Sequence, residues 1–145
     1  MKVKDFIHHI DKERLVAAIQ EAERGNSGDV VLFVSQKPVE DALVAAHAEF
    51  KKLKLAETTP QNSVLIYVAP KSQKLAVLGG ADLYKVLPPE WWTELVATIT
   101  RSFAANELTE GLLAGLKEIG NVQRQHFPKG AAHNRAGQKD LLEEG

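Results

Sequence analysis

The sequence predicts an α/β domain in which helices cover both faces of a small mixed sheet. Three observations carry this. Residues Val30–Val34, Val64–Ala69 and Leu75–Leu78 are continuous apolar runs, not alternating ones. A strand that is apolar on both sides must be covered on both faces. Between the first two runs lies a stretch with helical spacing, so strand, helix and strand form a right-handed crossover with parallel strands. The last two runs are joined by Pro70-Lys71-Ser72-Gln73, a turn short enough to make them antiparallel.

The elements follow in order. Phe6, Ile7 and Ile10 form an apolar lead-in. Asp11 is placed to cap a helix over 12–24, with Glu13 in its first turn favourable to the helix dipole. Leu15, Ala18, Ile19 and Ala22 fall at i, i+3, i+4 and i+7 on one face. Gly25 ends that helix as a left-handed residue does. Asn26-Ser27-Gly28-Asp29 is a turn, and Val30–Val34 is rich in β-branched residues, as a buried strand is. A second helix is expected from Val39 or Glu40, with Leu43, Ala46, Phe50 and Leu53 as its buried stripe and His47 packed on or beside it.

After the hairpin, Pro88-Pro89-Glu90 announces a helix, because proline suits the first helical turn. Trp92, Leu95, Val96, Ile99 and Phe103 form its core face, which leaves Trp91 partly exposed. Asn106 or Thr109 is expected to cap the last helix, which stops at His126-Phe127-Pro128. Gly111 and Gly115 lie on one side of it and permit close approach of another element. The domain is expected to span 1–128, with 129–145, rich in Gly, Ala and polar residues, as a flexible tail.

Bulk properties exclude several function classes. The 145 residues suffice for one domain with a sizeable core. A composition of 44% hydrophobic and 26% charged residues is that of a globular chain. A net charge of -1 gives no general attraction to nucleic acid or anionic membranes. Without cysteine there are no disulfides, thiolate metal sites or cysteine nucleophiles. No run reaches the ~18 apolar residues of a membrane span, and the N-terminus has no signal-peptide core, so the expectation is a cytoplasmic monomer. None of the five histidines stands in a His-x-x-x-His or His-x-His pair, no serine sits in a Gly-x-Ser-x-Gly context, and no Lys-Ser/Thr follows Gly79-Gly80.

The strand directions bring three places to one edge of the sheet. Asp29 precedes the first strand, Asn62 precedes the second, and Gly79-Gly80-Ala81-Asp82 follows the third. The first two helices also end at this edge, and helix C-termini favour a cation. Oxygen ligands in such a place suit calcium or magnesium. Asp29, Asn62 and Asp82 are therefore the candidate metal ligands. The alternative is structural: Asp29 as a turn residue and Asp82 as the cap of a short helix over 82–86. Lys51, Lys52, Lys54, Lys71 and Lys74 are expected to form a solvated surface, and an exposed Trp91 is a candidate contact for a protein partner.

Several segments together resemble the TPM-domain family, in particular its short stand-alone bacterial members. They are Ala17-Ala18-Ile19 to Ala22-Glu23, Ser27-Gly28-Asp29-Val30, Asn62-Ser63-Val64-Leu65-Ile66, and Leu75–Gly79 before a Gly-Asp-like turn. Trp92 near a helix start, Thr109-Glu110-Gly111-Leu112 and His126-Phe127-Pro128 complete the series. The resemblance implies a Rossmann-like α/β/α sandwich and, for some members, divalent-cation binding and acid phosphatase activity. It also implies an acid that this chain lacks. The Asp position of the Gly-Asp turn is Gly80, and an Asp follows only at Asp82. An Asn-Glu-Leu-Pro-Asp segment after His-Phe-Pro is replaced by Arg135-Ala136-Gly137-Gln138-Lys139, or by a shifted Asn134-Arg135, and an expected basic residue is Val31. The expectation is a degenerate site in a non-catalytic domain that acts by protein association or in envelope or stress maintenance. The alternative is a weak cation-dependent acid phosphatase at Asp29, Asn62 and Asp82.

Overall fold

The structure, a computed structural model, describes residue 6, residues 8–128 and the backbone of 142–144. Helix α1 spans Lys12–Glu23, and the Asp11 side chain caps it by accepting from the Arg14 amide at 3.1 Å. Gly25 adopts φ 76°, the left-handed conformation expected of the residue that turns the chain away. Strand β1, Val30–Val34, is buried at all five positions. Helix α2, Ala42–Lys52, leads through a short turn to β2, Val64–Ala69, also buried throughout. A tight turn at Pro70–Ser72 then gives β3, Lys74–Gly79. Helices α3, Ala81–Val86, α4, Pro89–Ala104, and α5, Leu108–His126, follow.

β1 and β2 are parallel and β2 and β3 antiparallel, so the expected mixed sheet forms. A fourth strand, β4, Leu142–Glu144, adds in parallel to the open side of β1, giving the order β3-β2-β1-β4. The tail expectation otherwise falls on 129–141 and 145, outside the described residues. Helix α2 packs on β2 and β3, α1 contacts β1, and α4 contacts β3. Helix α5 packs against both α1 and α4. Small residues make those contacts close. A Cβ on Gly111 would lie 2.6 Å from the Ser102 Cβ, and one on Gly120 would lie 2.7 Å from the Ala22 Cα.

The core follows the apolar pattern with two shifts. In α2 the helix starts later than expected, with Asp41 as its N-cap accepting from the Leu43 and Val44 amides. The buried face is Ala42, Ala46 and Phe50; Leu43 is 50% exposed and His47 is exposed, not packed. The small alanines let the helix lie close to the sheet, and the larger Leu43 is left outside. At α5 neither expected residue provides the cap. Asn106 takes a left-handed conformation (φ 61°), and the Thr109 hydroxyl accepts from the Asp11 amide at 3.0 Å, tying α5 to the start of α1. Phe6 and Ile10 of the lead-in are buried, Phe6 edge-on to Phe103 with ring centroids 5.8 Å apart; Ile7 lies outside the described residues.

Candidate functional site

The register fixes the edge at which the candidate ligands lie. Val30 pairs with Val64 and Val64 with Gly79, so the residues before β1, before β2 and after β3 form one row. Backbone hydrogen bonds continue the row past the strands. The Val64 amide donates to the Asp29 carbonyl at 2.9 Å, and Gly80 donates to Ser63 at 2.8 Å. Asp29, Asn62 and Asp82 therefore meet at one sheet edge.

Their side chains have different surroundings. Asp29 is buried, and its backbone amide lies 3.4 Å from the Ser63 hydroxyl. Asn62 is fully buried; its Nδ2 donates to Ser27 Oγ at 3.0 Å, while its Oδ1 is buried without a hydrogen-bond partner. Asp82 sits in the first turn of α3 instead of capping it, since Gly80 is the N-cap residue and no side chain caps this helix. Both Asp82 oxygens are engaged: Oδ2 accepts from the Gln61 amide at 2.8 Å and Oδ1 from Lys85 Nζ at 3.2 Å. These bonds stabilise the carboxylate, the Gln61 amide most and Lys85 next, and hold its pKa below the ordinary value.

Gln123 is a member of this site that the sequence pattern did not assign. It is fully buried on α5, and its Nε2 donates to the Asn62 carbonyl at 2.9 Å and to the Asp29 carbonyl at 3.4 Å. Its Oε1 is buried with no hydrogen-bond partner. The signal was present: Gln123 lies at i+7 from Leu116 and i+4 from Ile119, a polar residue at core spacing. Gly28 makes room for it, because a Cβ there would be 2.6 Å from the Asn62 carbonyl oxygen and 2.8 Å from Gln123 Nε2. Around this centre, Asn26 donates to the Ala22 carbonyl and accepts from the Gly28 amide at 2.6 Å, and Glu23 Oε2 accepts from the Val30 amide at 2.8 Å.

The chemistry available is mostly that of amide and hydroxyl groups. Among the described residues no three His, Asp or Glu side chains converge. Calcium takes six to eight oxygens and magnesium near-octahedral geometry. The side-chain oxygens at this edge are Asn62 Oδ1 and the carboxylates of Asp29 and Asp82, and both Asp82 oxygens also accept hydrogen bonds. Gly80 is tightly hemmed in. Its Cβ position falls against the backbone carbonyl of Gln61, so no side chain fits there without backbone movement.

The far side of the turn is aromatic. Trp92 lies against Gly79, where a Cβ would overlap its ring, and stacks on Tyr84 with centroids 4.5 Å apart. The Tyr84 hydroxyl accepts from the Gly79 amide at 3.1 Å, and burial pushes its pKa up. Trp91 is half-buried and edge-on to Trp92 at 4.8 Å.

The model of the TPM domain family matches residues 3–122. The chain is similar in structure to BA42 protein from the psychrophilic bacterium Bizionia argentinensis, at 25% identity and a TM-score of 0.79, over 92% of this chain and 91% of that one. It is also similar to the N-terminal domain of cg2496 protein from Corynebacterium glutamicum, with a TM-score of 0.56 over 86% of this chain and 78% of that one. At 11% identity the second likeness concerns the fold alone. No curated protein is significantly similar to the chain. Among the described residues no helix is long and apolar enough to cross a membrane.

Proposed function

The chain belongs to the TPM-domain family, and from that premise we propose that it is a non-catalytic member acting by protein association, in envelope or stress maintenance. The observation that carries this reading is the bonding of Asp82. The acid nearest the family's Gly-Asp position has both oxygens tied to Gln61 and Lys85, and it secures the loop entering β2. Gly80, where the family acid is expected, has no room for a side chain.

A second reading, a cation-dependent acid phosphatase with Asp29, Asn62 and Asp82 as metal ligands, is favoured by one observation. Asn62 Oδ1 is an unpartnered buried oxygen at the shared edge. One experiment separates the two. Calcium is titrated into the protein and followed by backbone NMR, alongside hydrolysis of a generic phosphomonoester. The association reading expects no saturable shifts and no hydrolysis at millimolar calcium. Saturable shifts confined to residues 28–30, 61–63 and 79–84, together with hydrolysis, would establish the phosphatase.

A further inference from the structure

A small recess opens between α4 and α5, on the outside of the domain. It is lined by Trp91, Glu94, Leu95 and Thr98 of α4 and Glu118 of α5, with a volume of about 220 Å3. The four α4 residues stand at i, i+3, i+4 and i+7, so one helix face supplies them. The close α4–α5 seam brings Glu118 beside them: a Cβ on Gly115 would lie 2.9 Å from Ile99 Cδ1. The indole of Trp91 is held in place twice. It lies edge-on to Trp92, at 87°, and its Nε1 donates to Glu118 Oε1 at 3.3 Å.

We propose that this recess receives a lysine or arginine side chain of a partner protein. An indole attracts a cation by its quadrupole, and two neighbouring carboxylates attract it by direct charge. Glu94 and Glu118 are the charged groups that line the recess. Of the nearby cations, Arg101 donates to Thr98 Oγ1 at 3.4 Å from one turn along α4, and Lys117 precedes Glu118 in the chain; neither lines it. Two carboxylates and one hydroxyl fall short of the six to eight oxygens that calcium takes, so the lining is not a metal site. Its volume is below the ~300–1,000 Å3 of small-molecule sites. That size matches one side chain of a larger partner.

The inference rests on the association reading and names the chemistry of the partner. Its test uses the two indole N–H resonances of the full chain. The probe is the peptide acetyl-Gly-Lys-Gly-Arg-Gly-amide, with a version carrying Glu at both charged positions as its control. Trp91→Leu identifies the Trp91 signal by removing it. The expected result is a saturable shift of that signal with the basic peptide and none with the acidic one. A combined Glu94→Gln and Glu118→Gln variant, whose Trp92 signal reports an intact fold, should bind the basic peptide about tenfold more weakly. Equal responses to both peptides, no response to the basic one, or unchanged binding by the double variant would overturn the proposal. So would tighter binding of choline than of the peptide, which would make the recess a small-cation site. Calcium shifts at residues 28–30, 61–63 and 79–84 fail or hold independently of the Trp91 signal, so the two readings can be rejected separately.

Discussion

Asp82 and Gln61 hold each other by two hydrogen bonds of opposite direction. The Asp82 amide donates to the Gln61 carbonyl at 2.9 Å, and the Asp82 carboxylate accepts from the Gln61 amide at 2.8 Å. The pair joins the start of α3 to Gln61, three residues before β2. It closes the edge at which the three candidate ligands meet, and it uses the carboxylate as a backbone acceptor.

This pairing makes stability depend on pH at the acid end. The Asp82 pKa in the folded chain lies below the ordinary 3.8, chiefly because of the Gln61 amide and then Lys85. A depressed folded pKa contributes stability that is fully present above the unfolded value and is lost as pH falls through the folded one. Asp82→Asn should therefore lower the melting temperature modestly at neutral pH, and the difference from the unsubstituted chain should shrink below about pH 4. Equal melting curves at neutral pH would show that the carboxylate is not the anchor.

Gln123 bridges α5 to two strand entries, so its replacement should be felt in the core. Gln123→Leu leaves the Asn62 carbonyl without its side-chain donor and should cost about 1–3 kcal/mol in urea unfolding. Gln123→Glu should cost more, because a buried carboxylate would face the Asn62 and Asp29 carbonyl oxygens. A glutamate variant at least as stable as the leucine variant would indicate that Gln123 is not held between those carbonyls.

The two adjacent tryptophans should separate cleanly. Trp92→Ala removes a ring packed on Gly79, Tyr84 and Trp91 and should cost ~3–5 kcal/mol. Trp91→Ala should cost much less, since Trp91 is only half-buried. Similar losses in thermal or urea unfolding would contradict the helix phase.

The sheet was legible because its signal is redundant. Val30–Val34 and Val64–Ala69 are apolar at every position, and every position is buried. The placement of Asp29, Asn62 and Asp82 at one edge followed from strand direction alone. Details set by close packing were not legible. Leu43 and His47 read as core or near-core by periodicity, but Ala42 and Ala46 bring α2 near the sheet on a neighbouring face. Gln123 is polar in composition and buried in fact, because its partners are backbone carbonyls contributed from 61 and 94 residues away in sequence. The fourth strand was missed because Leu142–Glu144 is short and acidic and has no apolar run to announce it.

Gly80 offers the sharpest test between the two proposed readings. Its backbone is pinned by donation to the Ser63 carbonyl at 2.8 Å, and its φ of -68° is one that any residue adopts. The restriction is therefore steric: the first side-chain carbon already meets the Gln61 carbonyl. Gly80→Asp should destabilise the domain by about 1–3 kcal/mol, and Gly80→Ala by a similar amount, because the clash begins at Cβ. Neither should gain calcium-dependent hydrolysis of a phosphomonoester. A neutral Gly80→Ala would mean that the Gln61 loop yields easily. A stable, calcium-binding Gly80→Asp would show that the edge holds a cation once it gains one carboxylate, which would favour the phosphatase reading over association.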